Sequence, residues 1–280
     1  MEKAPINKII YFSNVDGPGN RMAIFFQSCP FKCLYCHNPE TINLCNSCGK
    51  CVSSCPSNAL NIINNKVIWE EDKCVNCDTC ISICPNFSSP KVKMYSVDDL
   101  LKIIIEIKPF IRGITVSGGE CCNYPKFLYE LFLKIKELGL TCLIDSNGYY
   151  DMEQFNKLIV LSDGVMLDIK AIDNQFHKFL TGKENNMVLK NLNYLLNINR
   201  LEEVRTVILP NYEKENEKTV LEVSKIIGNK TKYKLIKYRY FGVKETGILK
   251  FGKVITSQDE IDRLKAIIDS NGFQVKIEEK

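Results

Sequence analysis

The chain has 280 residues, 45% hydrophobic and 25% charged, which is enough apolar mass for one large α/β domain or a medium domain carrying an inserted module. Its net charge of +4, from 37 basic against 33 acidic residues spread along the chain, gives no case for nucleic acid as a partner. No apolar run reaches membrane-spanning length, and the opening MEKAPINKIIYFSN lacks the apolar stretch and cleavage site of an export signal, so no membrane role and a cytoplasmic address are expected. Cysteine is the outlier. Eleven of the fourteen cysteines fall between Cys29 and Cys84, all in short ligand-like spacings. In a reducing compartment that clustering means metal rather than disulfides.

Three zones follow one another along the chain. Residues 1–40 hold a strand-like run, Arg21–Gln27, that ends at Cys29. Residues 41–92 are rich in cysteine and asparagine, with few large apolar residues beyond Ile62, Ile63, Val67, Ile68 and Trp69, and are expected to form an inserted domain. Residues 93–280 alternate helix-like stretches (97–109, 125–139, 151–160, 186–199, 214–228 and 257–272) with β-branched or aromatic runs (113–117, 141–145, 164–169, 203–209 and 233–239). With 21–28 as the first strand, six β–α units remain once the insertion is removed, the pattern of a parallel α/β sheet. Periodicity alone leaves open an open doubly wound sheet or a partial (β/α)6 TIM-type barrel. The barrel is favoured because the unusual short motifs all follow strands: Cys29 onward, Gly118-Gly119-Glu120, Ser146-Asn147, Lys170 and Pro210. Residues 1–40 and 93–280 would then be the barrel and 41–92 the insert.

Cys29-Pro-Phe-Lys-Cys33-Leu-Tyr-Cys36 is a CxxxCxxC triplet with no fourth cysteine in register. Three thiolates on a [4Fe–4S] cube leave one iron open, whereas a zinc site completed by His37 is the bland alternative. Cys45, Cys48, Cys51 and Cys55-Pro, then Cys74, Cys77, Cys80 and Cys84-Pro, repeat the bacterial ferredoxin run. In that run the fourth cysteine crosses to the other cube, which pairs Cys84 with Cys45, Cys48 and Cys51, and Cys55 with Cys74, Cys77 and Cys80. Three [4Fe–4S] clusters are therefore expected. The two in the insert are read as an electron relay, with a structural or docking role as the alternative. A zinc ribbon would need CxxC pairs separated by a loop.

The CxxxCxxC triplet resembles the radical SAM superfamily, and Cys36-His37-Asn38-Pro39 narrows the resemblance to the glycyl radical enzyme activases, the group typified by pyruvate formate-lyase activating enzyme. Val15-Asp16-Gly17-Pro18-Gly19-Asn20-Arg21, Thr115–Glu120, Asp145–Gly148 and Val165–Lys170 are similar to further motifs of that family in the same order. With its cysteine-rich insert, the chain looks closest to the YjjW-type activases. The resemblance implies reductive cleavage of S-adenosylmethionine to a 5′-deoxyadenosyl radical, which takes an α-hydrogen from a backbone glycine of a large partner enzyme. Reduced flavodoxin or ferredoxin would supply the electron, and the chain would act as a monomer in an anaerobic cytoplasm.

By the same resemblance, Cys29, Cys33 and Cys36 are catalytic, His37 flanks the adenine, and Gly119 and Glu120 lie against the methionine end. Gly118 and Gly119 also suit close backbone approach to a ligand. Asp145 and Asp168 end two strands, and adjacent carboxylates repel unless a cation lies between them. The resemblance implies a monovalent cation, sodium or potassium, held there with backbone near Ser146 and Met166. Lys170 faces the same side and can contact the cofactor. Asp16 and Arg205 match positions that touch the substrate glycyl loop, with a structural ion pair as the other reading. Arg239 stands where better-known activases carry a histidine. Cys121, Cys122 and Cys142 have no ligand spacing and are expected to be buried thiols. Two rival readings stay open: another radical SAM enzyme acting on a small molecule or tRNA, and an iron–sulfur electron carrier that cleaves no cofactor.

Overall fold

The structure is a computed structural model that describes residues 2–273 and 275–279. Strands β1 (Lys3–Ser13) and β2 (Arg21–Phe26) pair antiparallel around residues 14–20. The chain then leaves the sheet. Strands β3 (Leu60–Ile63) and β4 (Lys66–Trp69) make a separate hairpin, followed by the short helix α1 (Thr79–Ser82). It returns through β5 (Lys93–Ser96) and α2 (Val97–Ile107), whose N-terminus carries a capping box between Ser96 and Asp99. Next come β6 (Gly113–Gly118), α3 (Pro125–Glu137), β7 (Thr141–Ser146), α4 (Asn156–Leu161) and β8 (Gly164–Asp168). Helices α5 (Asn174–Thr181) and α6 (Asn186–Asn197) precede β9 (Leu201–Ile208) and α7 (Glu213–Ile227). Strand β10 (Lys232–Lys237), helices α8 (Glu245–Phe251) and α9 (Gln258–Ser270), and β11 (Lys276–Glu279) complete the order.

The main sheet runs β11-β10-β9-β8-β7-β6-β2-β1-β5. All pairings from β2 to β11 are parallel, and β1 is antiparallel to both of its neighbours. The six strands expected from sequence are thus β2 and β6–β10. Strand β1 went unread because its pairing slips at Ile6/Lys8 and again at Ile10/Ser13, which breaks the two-residue alternation that marks a strand. Helices α5 and α8, of 8 and 7 residues, are too short to show a helical period. The helix expected over 151–160 begins as a 3₁₀ turn at Met152–Phe155 and becomes α4.

Each parallel strand has two different faces. Ile114 and Val116, Cys142 and Ile144, Val165 and Leu167, Val204 and Ile208, and Tyr233 and Leu235 point to the helices and build the main core with Phe127, Leu131, Val223 and Leu264. The alternate residues, among them Ser117, Asp145, Asp168, Arg205 and Ile236, line a cavity on the other face. Laid flat, the six strands from β2 to β10 would span about 24 Å. Cys29 after β2 and Ile236 on β10 nevertheless line the same cavity, so the sheet curls around it. It does not close, since β11 and β5 are its two ends.

Arg21 anchors the lower part of this curl and is 1% exposed. Its Nε donates to Thr115 Oγ1 at 2.8 Å and its Nη1 to Thr141 Oγ1 at 2.9 Å, while Nη2 reaches the carbonyls of Ile114 and Thr141. Burial lowers its pKa to about 10, with Cys142 and Asp163 opposing. One guanidinium therefore ties β2, β6 and β7 together. Arg21→Met leaves two buried acceptors, Thr115 Oγ1 and Ile114 O, and two part-buried ones on Thr141 without their donor, and is expected to cost about 3 kcal/mol. The check is chemical unfolding of parent and variant under anaerobic conditions.

Candidate functional site

The ends of β2 and β6–β10 open on a cavity of about 320 Å³. The chain enters it at Ser28, whose backbone is left-handed with φ 81°. That conformation is held from both sides. Ser28 N donates to Thr41 O at 2.8 Å, and Ser28 O accepts from Glu120 N and from Asn123 Nδ2, both at 2.9 Å. Cys29, Cys33 and Cys36 all lie on the cavity wall. The loop between them is tied to α5 by Lys32 N donating to Thr181 O and Leu34 N to Leu180 O, both at 2.9 Å. Burial raises all three thiols, and Cys36 is pushed up to about 12 by burial and then by Cys33. Thiolates are costly here unless a cationic metal group binds them, so this donor set fits an iron–sulfur cluster.

Gly118 and Gly119 form the next wall. Gly118 has φ +112°, and a Cβ there would lie 2.3 Å from the backbone N of Phe26. A Cβ on Gly119 would lie 2.4 Å from Ser28 O, so both positions require glycine for the cysteine loop to lie against β6.

His37, Asp145, Ser146, Asp168, Lys170 and Arg205 also line the cavity. Asp145 lies on β7 opposite Met166 of β8, two residues before Asp168, so the two carboxylates are neighbours. Each has a protein cation: Arg205 Nη1 is 3.1 Å from Asp145, and Lys170 Nζ is 2.6 Å from Asp168. Burial raises the pKa of the Asp145 carboxyl, and Arg205 opposes that rise without cancelling it. Arg205 also pairs with Glu203, which holds Lys234 at 3.3 Å. Burial disfavours the charged guanidinium, but Asp145 and Glu203 outweigh it and raise its pKa.

Three expected site residues do not line the cavity. Glu120 is 1% exposed, and its carboxylate accepts from Cys122 N, Ser146 Oγ and Asn147 N at 2.8–2.9 Å. It therefore fixes the turn after β7. Met166 is buried beneath Arg205, whose Nη2 is 2.8 Å from its Sδ. Asp16 binds Ser13 Oγ, and its carbonyl accepts from Thr115 Oγ1, so it belongs to the loop before β2. Arg205 pairs with Asp145 and Glu203, not with Asp16. Arg239 is exposed at the rim beside His37, whose pKa burial lowers. Sequence reasoning missed Asn147, which donates to Cys29 Sγ at 3.4 Å, and Tyr35, whose ring lies under Lys170 and whose buried hydroxyl has no partner. The CxxC frame around Tyr35 draws attention to the thiols alone. Cys121, Cys122 and Cys142 are buried.

The cysteines of residues 41–92 surround two smaller cavities. Cys55, Cys74, Cys77 and Cys80 line one, with Trp69. Cys45, Cys48, Cys51 and Cys84 line the other, which Cys80 also reaches. The small core beneath them is itself partly cysteine: Cys51, Leu60 and Cys80, packed by Val52, Cys55, Val67, Trp69 and Ile81. Thiols grouped in this way have the donor type and number that [4Fe–4S] ligation needs.

Residues 23–226 match the family model described as the Radical SAM superfamily, and the chain belongs to that superfamily. The fold agrees. QueE from Escherichia coli has TM-score 0.55 at 14% identity, covering 99% of this chain and 94% of its own. Streptococcus suis SuiB bound to its precursor peptide SuiA has TM-score 0.60 at 10% identity, covering 91% of this chain and 47% of its own. Within the superfamily the chain is 30% identical to the choline trimethylamine-lyase activating enzyme of Oleidesulfovibrio alaskensis, over 98% of each chain. It is 29% identical to the trans-4-hydroxy-L-proline dehydratase activating enzyme of Clostridioides difficile, over 94% of this chain and 95% of the relative. It is a member of the glycyl radical enzyme activating enzymes.

The ion pairs on the curled face carry a prediction. Arg205→Met takes the counter-charge from the part-buried Asp145 and leaves Glu203 with Lys234 alone, and is expected to destabilise the protein by about 3 kcal/mol. Adding Asp145→Asn to that variant should recover part of the loss. Anaerobic denaturation of the two variants and the Asp145→Asn single variant, closed as a double-mutant cycle, measures the coupling.

Proposed function

We infer that this chain generates a radical on a backbone glycine of a partner glycyl radical enzyme. The observation that carries the reading is the meeting of Cys29, Cys33 and Cys36 with Gly118, Gly119, Asp145 and Lys170 on one cavity, in a chain of this family. Cys29, Cys33 and Cys36 would hold a [4Fe–4S] cluster, which would supply one electron to the sulfonium of bound S-adenosylmethionine and so a carbon radical able to take the α-hydrogen. The protein supplies position and exclusion of water. Asn147 steadies the Cys29 sulfur, Glu120 fixes the turn that carries Ser146 and Asn147, and the two glycines admit a ligand close to the backbone.

We propose that residues 1–40 and 93–280 form a partial (β/α)6 barrel, and that 41–92 form a ferredoxin-like insert of the YjjW type. Its two four-cysteine sets would hold two further [4Fe–4S] clusters, relaying electrons from flavodoxin or ferredoxin. Separation of the β3–β4 hairpin from the main sheet and the two cysteine-lined cavities support this. A monomer in an anaerobic cytoplasm completes the reading. Among the described residues no helix is long and apolar enough to cross a membrane. Asp145 and Asp168, with backbone near Ser146 and Met166, would take a sodium or potassium ion. Their position on neighbouring strand ends supports it, and Arg205 and Lys170 are the charges with which it would compete.

Anaerobically reconstituted protein should carry about twelve irons per chain and no stoichiometric zinc. Replacing Cys29, Cys33 and Cys36 together by Ala should leave about eight irons and abolish formation of 5′-deoxyadenosine under reduction. Persistence of that product would place the cleavage elsewhere. A glycyl radical signal on a co-expressed partner, absent with the triple variant, tests the activity itself.

Asp168→Asn should weaken S-adenosylmethionine binding, and the parent should bind more tightly with added potassium or sodium. Titration calorimetry with and without the salt decides this. Indifference of both proteins would leave Lys170 and Arg205 as the counter-charges at the site.

A further inference from the structure

We infer that the two cysteine sets of the insert stand in series. The set of Cys45, Cys48, Cys51 and Cys84 is the inner one, wired to the Cys29–Cys36 site, and the set of Cys55, Cys74, Cys77 and Cys80 is the outer one. Gln27 is the positioning residue that clamps the inner connection. This rests on the reading that both sets hold [4Fe–4S] clusters.

Bonded connectivity separates the two sets. Cys45 is three residues from Ile42, whose carbonyl accepts from Cys29 N at 2.9 Å. The chain after Cys84 lands on the same short segment: Asn43 N donates to Phe87 O at 3.0 Å, Asn43 Nδ2 to Asn86 O at 2.8 Å, and Asn86 Nδ2 to Leu44 O at 3.0 Å. Gln27 pins that segment to the end of β2, two residues before Cys29. It is 0% exposed, its Nε2 donates to Glu40 O at 2.7 Å and Asn43 O at 2.6 Å, and its Oε1 accepts from Asn7 Nδ2 at 2.8 Å. Its amide nitrogen is thus spent on holding residues 40 and 43, and its oxygen on Asn7.

The other set is bonded to the β3–β4 hairpin and, through Glu71 and Lys93, to β5 at the far end of the sheet. Cys55 Sγ accepts from Ala59 N at 3.2 Å, and Ala59 O accepts from Glu70 N at 2.9 Å, at the ends of the β3–β4 hairpin. Lys244 reaches the chain between Cys80 and Cys84, its Nζ 3.3 Å from Ile81 O and 3.5 Å from Ser82 O, and so gives both sets the same second link to the cavity rim. From Lys244 the route continues by packing of Gly242 against His37 O. Electronic coupling decays faster across packing gaps than along covalent and hydrogen-bonded links, so the Ile42–Cys45 route dominates. One electron from reduced flavodoxin or ferredoxin would pass from the outer set to the inner set and then to the Cys29–Cys36 site. Each giver is oxidised by one electron as the receiver is reduced by one, and no bond changes before the site is reached.

Electron paramagnetic resonance of the fully reduced, reconstituted chain tests the order, because a paramagnet close to the Cys29–Cys36 site speeds its spin relaxation. Cys77→Ala and Cys48→Ala should each retain about eight irons per chain. The signal that responds to added S-adenosylmethionine should keep its fast relaxation in Cys77→Ala and lose it in Cys48→Ala. The reverse pattern, or equal relaxation in both, overturns the order. Should either cysteine variant lose all its iron, Gln27→Leu decides: it keeps every ligand, should hold about twelve irons, and should relax more slowly than the parent. Unchanged relaxation in Gln27→Leu overturns the inner link. A parent with one cluster only would overturn the three-cluster reading itself, a different result from a reversed order among three.

Discussion

The structure depends on a charge arrangement that a parallel sheet ordinarily avoids. Strands buried on both faces usually read as continuous apolar runs. Here one face of β7–β10 is apolar toward the helices, and the other carries Asp145, Asp168, Glu203, Arg205 and Lys234. Arg205 makes this tolerable by spanning Asp145 on β7 and Glu203 on its own strand, while Lys170 answers Asp168. The curl of the sheet brings these groups together, and their pairing lets the curl enclose charge without leaving any of it bare. A cavity with fixed charges of both signs suits a zwitterionic, cationic-sulfur ligand such as S-adenosylmethionine.

Much of this was legible in the sequence. The six parallel strands announce themselves because each β-branched run ends in a short motif of unusual chemistry, as Gly113–Gly118 does at Gly119-Glu120. Asp145 and Asp168 could be set side by side for the same reason. What could not be read depends on contacts far apart in sequence. Glu120 stands out by its motif alone, and only the approach of Ser146 and Asn147 reveals that it clamps the turn after β7. Arg205 meets Asp145 across 60 positions, and no local pattern signals that pair. The edge strand β1 hides behind its two register slips.

Residues 41–92 obey a different economy. Their small core is built from Cys51, Cys55 and Cys80 as much as from Leu60 and Trp69. Several side chains that would be core in an ordinary domain, Ile62, Ile63 and Ile68, are exposed on the hairpin. A segment with so little apolar burial depends on whatever its thiols bind for its stability.

The sequence separation within the cavity wall bears on how the protein comes into being. Cys29, Cys33 and Cys36 emerge from the ribosome early, yet the walls that enclose them arrive with Ser117, Asp168, Arg205 and finally Ile236 to Arg239. For most of translation the three thiols therefore belong to a nascent chain with no shelter, open to oxidants and to stray metal. Such long-range closure is slow relative to local helix formation. Faithful assembly thus favours delivery of iron and sulfide after the last parallel strands have been made.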